Sequence, residues 1–210
     1  TVINSCSTEK NGYVLGSDYV GGIAGGLGNK LAEAIRADDS VSVTTNGNYV
    51  IGNNYVGGIT GINNIGIKLK NCVNNGVAAS YQKYAGGIVG YNENGATIHD
   101  CASYLSDYDN SVFNMIVDKW KATGDYAGGI AGYNDGKIEF TKDSEAITVK
   151  SVSSIIVGNN YVGGVAGFND VNGELAVHYT LIGGRVYGYE DAVGGCFGLL
   201  SSAICPLCDF

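Results

Sequence analysis

Proline is almost missing from this 210-residue chain: Pro206 is its only copy, which excludes a proline-rich linker. Tryptophan and methionine occur once each, as Trp120 and Met115. Charged residues make up only 15% while hydrophobic ones reach 45%, a balance too apolar for a disordered chain. No run of 18 apolar residues exists, so no segment reads as a membrane-spanning helix. Positive charge is the scarcer sign, 12 Lys and Arg against 20 Asp and Glu. The resulting net charge of −8 argues against nucleic acid or an anionic membrane surface as a partner. The 21 asparagines include no Asn-x-Ser/Thr sequon. Glycine, by contrast, is abundant: 34 residues with no Gly-X-Y period, which excludes a collagen helix.

Those glycines recur in a pattern. The heptapeptide Tyr19-Val20-Gly21-Gly22-Ile23-Ala24-Gly25 returns at residues 55–61, 84–90, 126–132 and 161–167, and in degraded form at 192–198. The first glycines of the pairs stand at 21, 57, 86, 128, 163 and 194, spacings of 36, 29, 42, 35 and 31. Helical repeats share such periods, but three glycines in five residues would cost a helix about 1 kcal/mol each. The connecting segments are β-branched or alternating, as in Val41-Ser42-Val43-Thr44-Thr45 and Ile147-Thr148-Val149. Asn46-Gly47, Asn75-Gly76, Asn94-Gly95, Asp135-Gly136 and Asn172-Gly173 punctuate them as turns. The pattern predicts an all-β fold, a single parallel β-solenoid domain over residues 1–210 with about six coils of three strands and three corners each.

In that fold the glycines supply positive φ at corners or let opposite walls approach closely. The aligned Tyr19, Tyr55, Tyr84, Tyr126 and Tyr161 are expected to stack coil on coil. Asn63, Asn92, Asn134 and Asn169, each two residues past the last motif glycine, are expected to bond one another along the axis. Both ladders are read as structural.

The glycine core, followed by Tyr91-Asn92, Tyr133-Asn134 or Phe168-Asn169 and then by a segment such as Ile98-His99-Asp100-Cys101 or Ile3-Asn4-Ser5-Cys6, resembles the GLUG motif of bacterial surface proteins. Here Gly-Gly-Ile/Val-Ala-Gly stands for that family's usual Gly-Gly-Leu-Val-Gly. The resemblance implies a right-handed β-helix in a large secreted or cell-wall adhesin. It carries no catalytic residues.

The chain begins and ends at about the same point of its repeat, without an initiator Met or a signal-peptide pattern. It is therefore expected to be an excised part of a longer array or a processed chain. Its partners would be the other domains of the parent protein, or a further copy stacked head to tail on an open strand edge.

Little reactive chemistry is legible. Cys6, Cys72 and Cys101 occupy one place in the repeat and read as buried reduced thiols, with a disulfide as the alternative; stacked parallel strands suit a bridge poorly. Cys205 and Cys208 form a terminal CxxC read as a local disulfide or a cap, which Cys196 joins. It lacks the further ligands of a zinc site. Neither His99 nor His178 has a Ser-His-Asp spacing, and no catalytic residue or cofactor is expected. Asp107 and Asp109 resemble the start of a calcium loop, although its glycine and distal Glu are missing.

The 42-residue spacing exceeds the one before it by 13 residues, placing an insertion at about 102–123. A helix over 111–121 fits its apolar spacing, and Lys30 to Ala37 reads as a second, flank-covering helix in an excursion near 28–40. The insertion either packs on the solenoid flank or presents Trp120, Tyr104 and Tyr108 as a stacking platform for a glycan. The functional expectation is a structural stalk in a secreted or surface adhesin, not an enzyme, binding a host surface or a neighbour. The alternatives are a carbohydrate-binding module and a β-helix polysaccharide-degrading enzyme.

Overall fold

The structure is a computed structural model and describes residues 2–8, 12–28, 40–42, 45–104, 114, 118, 121, 123–139, 152–153, 155–176, 185–194 and 197–200. Every strand pair among them is parallel, and each strand pairs with its equivalent in the coils before and after. This is a parallel β-solenoid.

A regular coil has four strands rather than the three expected. In the coil that starts at Lys68 they are Lys68–Lys70, Val73–Asn74, Val77–Gly86 and Val89–Asn92. We call the walls they build faces I to IV. Face I holds six strands from Val2–Asn4 to Glu174–Ala176, and face IV six from Ala24–Leu27 to Phe197–Leu200. The extra corner is the glycine pair itself, which ends face III and starts face IV. Gly86 still pairs with Gly57 and Gly128 of the neighbouring coils, and the Gly87 N–H donates to the Gly128 carbonyl at 3.1 Å. Just past the pair, the Ile88 and Val89 N–H groups both donate to the Ile130 carbonyl of the next coil, each at 3.0 Å.

The core lies between the walls. Leu69, Ile98, Ile138 and Leu175 enter it from face I; Ile59, Ile88, Ile130 and Val165 enter from the glycine corners. Of these, all but Val165 and Leu175 are fully buried. Each such side chain contributes about 1.5–3 kcal/mol of burial, so these two apolar residues per coil are a main source of stability.

The motif glycines stand where no Cβ fits. A Cβ on Gly57 would lie 1.9 Å from the Thr60 carbonyl, and one on Gly58 2.2 Å from the Gly87 carbonyl. One on Gly90 would fall 2.6 Å from the backbone of Tyr55 and Val56. Close approach therefore explains them. Positive φ, the other expected reason, is absent from the described motif glycines and appears at Gly28, Gly66 and Gly95 instead.

The insertion begins later than expected. Ala102–Tyr104 is a regular strand of face II, in register with Val73–Asn74 on one side and Val152–Ser153 on the other. Likewise Ser40 already belongs to face I, so the first excursion ends before it. The helices expected at 30–37 and 111–121 fall outside the described residues, apart from Asn114, Asp118 and Lys121. Among the described residues no helix is long and apolar enough to cross a membrane.

Candidate functional site

The feature that most distinguishes the surface is the corner between faces III and IV. Tyr19, Tyr55, Tyr84, Tyr126 and Tyr161 sit there just before the glycine pairs, with φ between 54° and 64°. This left-handed conformation costs a non-glycine residue roughly 1–2 kcal/mol. Ala192, in the equivalent place of the last coil, adopts φ 59° with no ring at all. The backbone corner therefore imposes the conformation, and the rings make use of it by pointing outward.

Once outward, the rings stack. Centroid separations along the row are 4.7 Å for Tyr19–Tyr55, 5.0 Å for Tyr55–Tyr84, 5.0 Å for Tyr84–Tyr126 and 4.7 Å for Tyr126–Tyr161. These values are the spacing of the strands themselves. A second row, which the sequence reading used only as part of a motif, runs beside it on face IV. Tyr91, Tyr133 and Phe168 stack at 4.9 and 5.0 Å and meet the first row edge to face, as in Tyr84–Tyr133 at 5.6 Å. Equal spacing was the available signal: each of the three follows the last motif glycine directly. The second row is missing at one end, where Gly26 and Ile62 take its place.

Carboxylates and amides flank the rows. On face III, Asn54 donates to Asp18 at 2.8 Å and to Gln82 at 3.2 Å, and Asn160 donates to Asp125 at 3.1 Å and to Glu190 at 2.9 Å. On the other side the Tyr133 hydroxyl donates to Asp170. Burial, together with the negative charges of Asp135, Glu93 and Asp170 and the neighbouring Tyr84, pushes the Tyr91 phenol up to about 12. Burial and the hydrogen bond to Asp170 raise Tyr133 further still. Burial and the adjoining rings also raise Tyr84 and Tyr126. At neutral pH these four are phenols, able to donate hydrogen bonds but not to act as bases.

Beneath this corner lies the asparagine ladder. Asn63 donates to Asn92 at 2.9 Å, Asn92 to Asn134 at 2.8 Å and Asn134 to Asn169 at 2.6 Å, all within the dry interior. Leu27 occupies the equivalent place before Asn63, and Leu200 the place after Asn169. The Asn63 Oδ1 is consequently buried with no donor.

The other sequence-derived candidates are not brought to this corner. Cys72 and Cys101 are buried and reduced, with the Cys72 N–H 3.4 Å from the Cys101 Sγ. Burial, and after it the bond to Cys72, raises the Cys101 thiol well above its ordinary value, so it is not a nucleophile. Cys6 is reduced but exposed, not buried like the other two as expected. His99 lies on face I with Nδ1 2.8 Å from Glu139 Oε1 and Nε2 3.1 Å from Asp100 Oδ2. Carboxylates thus occupy both ring nitrogens. Lys137 and Lys68 complete the group at 2.8 and 3.2 Å from Glu139. Burial alone would raise the Glu139 carboxyl, but hydrogen bonds from Lys137, His99 and Lys68 outweigh it and hold it at about 2. This charged network was not legible beforehand, because its members come from three coils.

Tyr104 ends its face II strand half-buried. Trp120, Tyr108, Asp107, Asp109, His178, Cys196, Cys205 and Cys208 lie outside the described residues. Among the described residues no group of three or more His, Cys, Asp or Glu side chains is arranged to hold a metal ion.

Neither the curated proteins nor the solved structures contain a match to this chain. The GLUG motif is found over residues 81–103. That stretch runs from the outward turn of face III through the Gly86-Gly87 corner and faces IV and I to Ser103 in face II, nearly one full coil. The chain is a parallel β-solenoid carrying a GLUG motif in its central coil.

Proposed function

We propose that this chain is a structural repeat segment, a stalk or spacer, of a secreted or surface-attached bacterial adhesin, and that it is not an enzyme. One observation carries the reading: the coils use their conspicuous side chains on each other. Rings stack on rings, amides bond amides, and His99 is held between two carboxylates. Such a body is stiff along one axis and suited to holding another domain, or a whole array, away from a surface. The resemblance to GLUG-containing surface proteins points the same way.

Carbohydrate binding is the alternative, through Trp120 and the residues between Tyr104 and Thr123. A glycan array separates the two. The purified chain is compared with Trp120→Ala and with a deletion of residues 105–117, which restores the 29-residue coil. Binding that both changes abolish would replace the spacer reading with a lectin-like one. The spacer reading expects no glycan binding from any of the three proteins. It also expects a rod, by small-angle X-ray scattering, that lengthens by one strand spacing for each coil duplicated.

A further inference from the structure

We propose that Tyr19 and Tyr55 form a site of oxidative cross-linking, at which a haem peroxidase and hydrogen peroxide join the two rings into a dityrosine that staples the first coil to the second. The two rings are the most nearly parallel pair in the row, with planes inclined by 7°, and none of the row's pairs is closer than their 4.7 Å. Tyr126–Tyr161 matches that distance, but both of its rings are also held edge-on by Phe168. Tyr19 is held by nothing comparable. The second row has Gly26 and Ile62 at this end, so no ring clamps it from the side. Among the described residues Tyr55 is its one ring neighbour, and Tyr19 remains 49% exposed. It is therefore open to an oxidant and free to turn toward its partner. The ring that must move and the ring that must wait are both present.

The chemistry balances. The peroxidase removes one electron and one proton from each phenol, and the two phenoxyl radicals couple through the ring carbons ortho to oxygen. The ring hydrogens at those carbons then shift to the oxygens, restoring two phenols joined by one carbon–carbon bond. Hydrogen peroxide accepts the two electrons and two protons, its O–O bond breaks, and two waters leave. The protein loses two hydrogen atoms for each bridge formed. The bridge spans residues 36 apart in sequence and adjacent in space. It would tie the coil that carries Tyr19 to the coil that carries Tyr55.

Treatment of the full chain with a haem peroxidase and hydrogen peroxide, followed by proteolysis and mass spectrometry, tests this. The expected result is an intramolecular cross-linked peptide containing Tyr19 and Tyr55, with the blue fluorescence of a biphenol. Tyr19→Phe and Tyr55→Phe, which keep the stack but remove the reacting hydroxyl, should each reduce that peptide to background. Tyr81→Phe should leave its yield unchanged, because Tyr81 is 46% exposed but has no stacked ring among the described residues. Tyr13–Tyr49, at 5.3 Å and 26°, is the comparison pair and should cross-link less. The proposal is overturned if bridges form only between molecules, if Tyr81 couples as readily as Tyr19, or if the 19–55 peptide is absent from a chain that retains its β-sheet circular dichroism.

Discussion

Two ladders climb this solenoid side by side, one of amides inside and one of aromatic rings outside, and they obey different rules. The amide ladder is directional. Asn92 must both accept from Asn63 and donate to Asn134, so every rung depends on the next, and the run ends in a buried oxygen without a donor beside Leu27. The aromatic ladder is not directional. It continues through Phe168, stops at Ala192, and dispenses with its second row at Gly26 and Ile62. A missing hydrogen bond in a dry interior costs more than a missing ring contact at a wet surface, and the sequence varies accordingly.

The largest effect should come from the glycine that holds the two ladders together. Gly90→Ala would place a Cβ 2.6 Å from the Tyr55 and Val56 backbone, where no flexible atom can yield. Faces III and IV must then part, at a cost of about 4 kcal/mol or more, measurable as a collapse of the urea midpoint.

Next is the amide ladder, tested by comparing its middle with its end. Asn92→Leu strands the Asn63 amide and the Asn134 oxygen together, and two such groups cost about 2–6 kcal/mol. Asn63→Leu merely moves the end of the ladder by one rung: it removes one orphan oxygen and creates another on Asn92. Its expected cost is under about 1 kcal/mol in a well-packed site. Equal losses of stability from the two changes would mean that volume, and not hydrogen bonding, decides.

The outer ladder should respond more weakly. Tyr84→Ala loses two stacked contacts, about 0.5–1.5 kcal/mol each, and leaves the left-handed backbone unrelieved. Tyr84→Asn loses the same rings but suits that backbone better, so its melting temperature should lie between those of wild type and Tyr84→Ala.

The smallest effect is electrostatic, on face I. The Glu139 carboxyl titrates at about 2 in the folded chain, against an ordinary 4.5. Its folded value is lowered, so its contribution is fully present above pH 4.5 and disappears as the pH falls toward about 2. Pairs at this level of exposure are worth under about 1 kcal/mol each. Wild type should therefore exceed Glu139→Gln in melting temperature at pH 6, with the gap closing toward pH 2.

The repeat itself was legible because it rests on one-dimensional facts: glycines at fixed offsets, and one tyrosine and one asparagine per unit. Strand count was not. The glycines were expected at corners or where walls approach closely, and backbone crowding at Gly57 and Gly86 shows the close approach, beside a fourth corner that the pattern did not count. The second aromatic row was visible in principle at 91, 133 and 168, since it shares the spacing of the first. The His99 network was not visible, because Lys68, His99 and Glu139 are far apart in sequence and meet only through the register of three strands.

By itself the sequence determined that the chain coils, and in which direction equivalent residues align, because a period repeated five times leaves one residue of each kind above the next. Which of those residues would be inside, and which would bear strain, only the tertiary structure decided. Asn92 is interior and Tyr91 half-buried on the outer side although they adjoin, since successive residues of the Val89–Asn92 strand point to opposite faces. Within the described motif copies the tyrosines, not the glycines, carry the left-handed backbone, because those glycines are already needed where two walls touch.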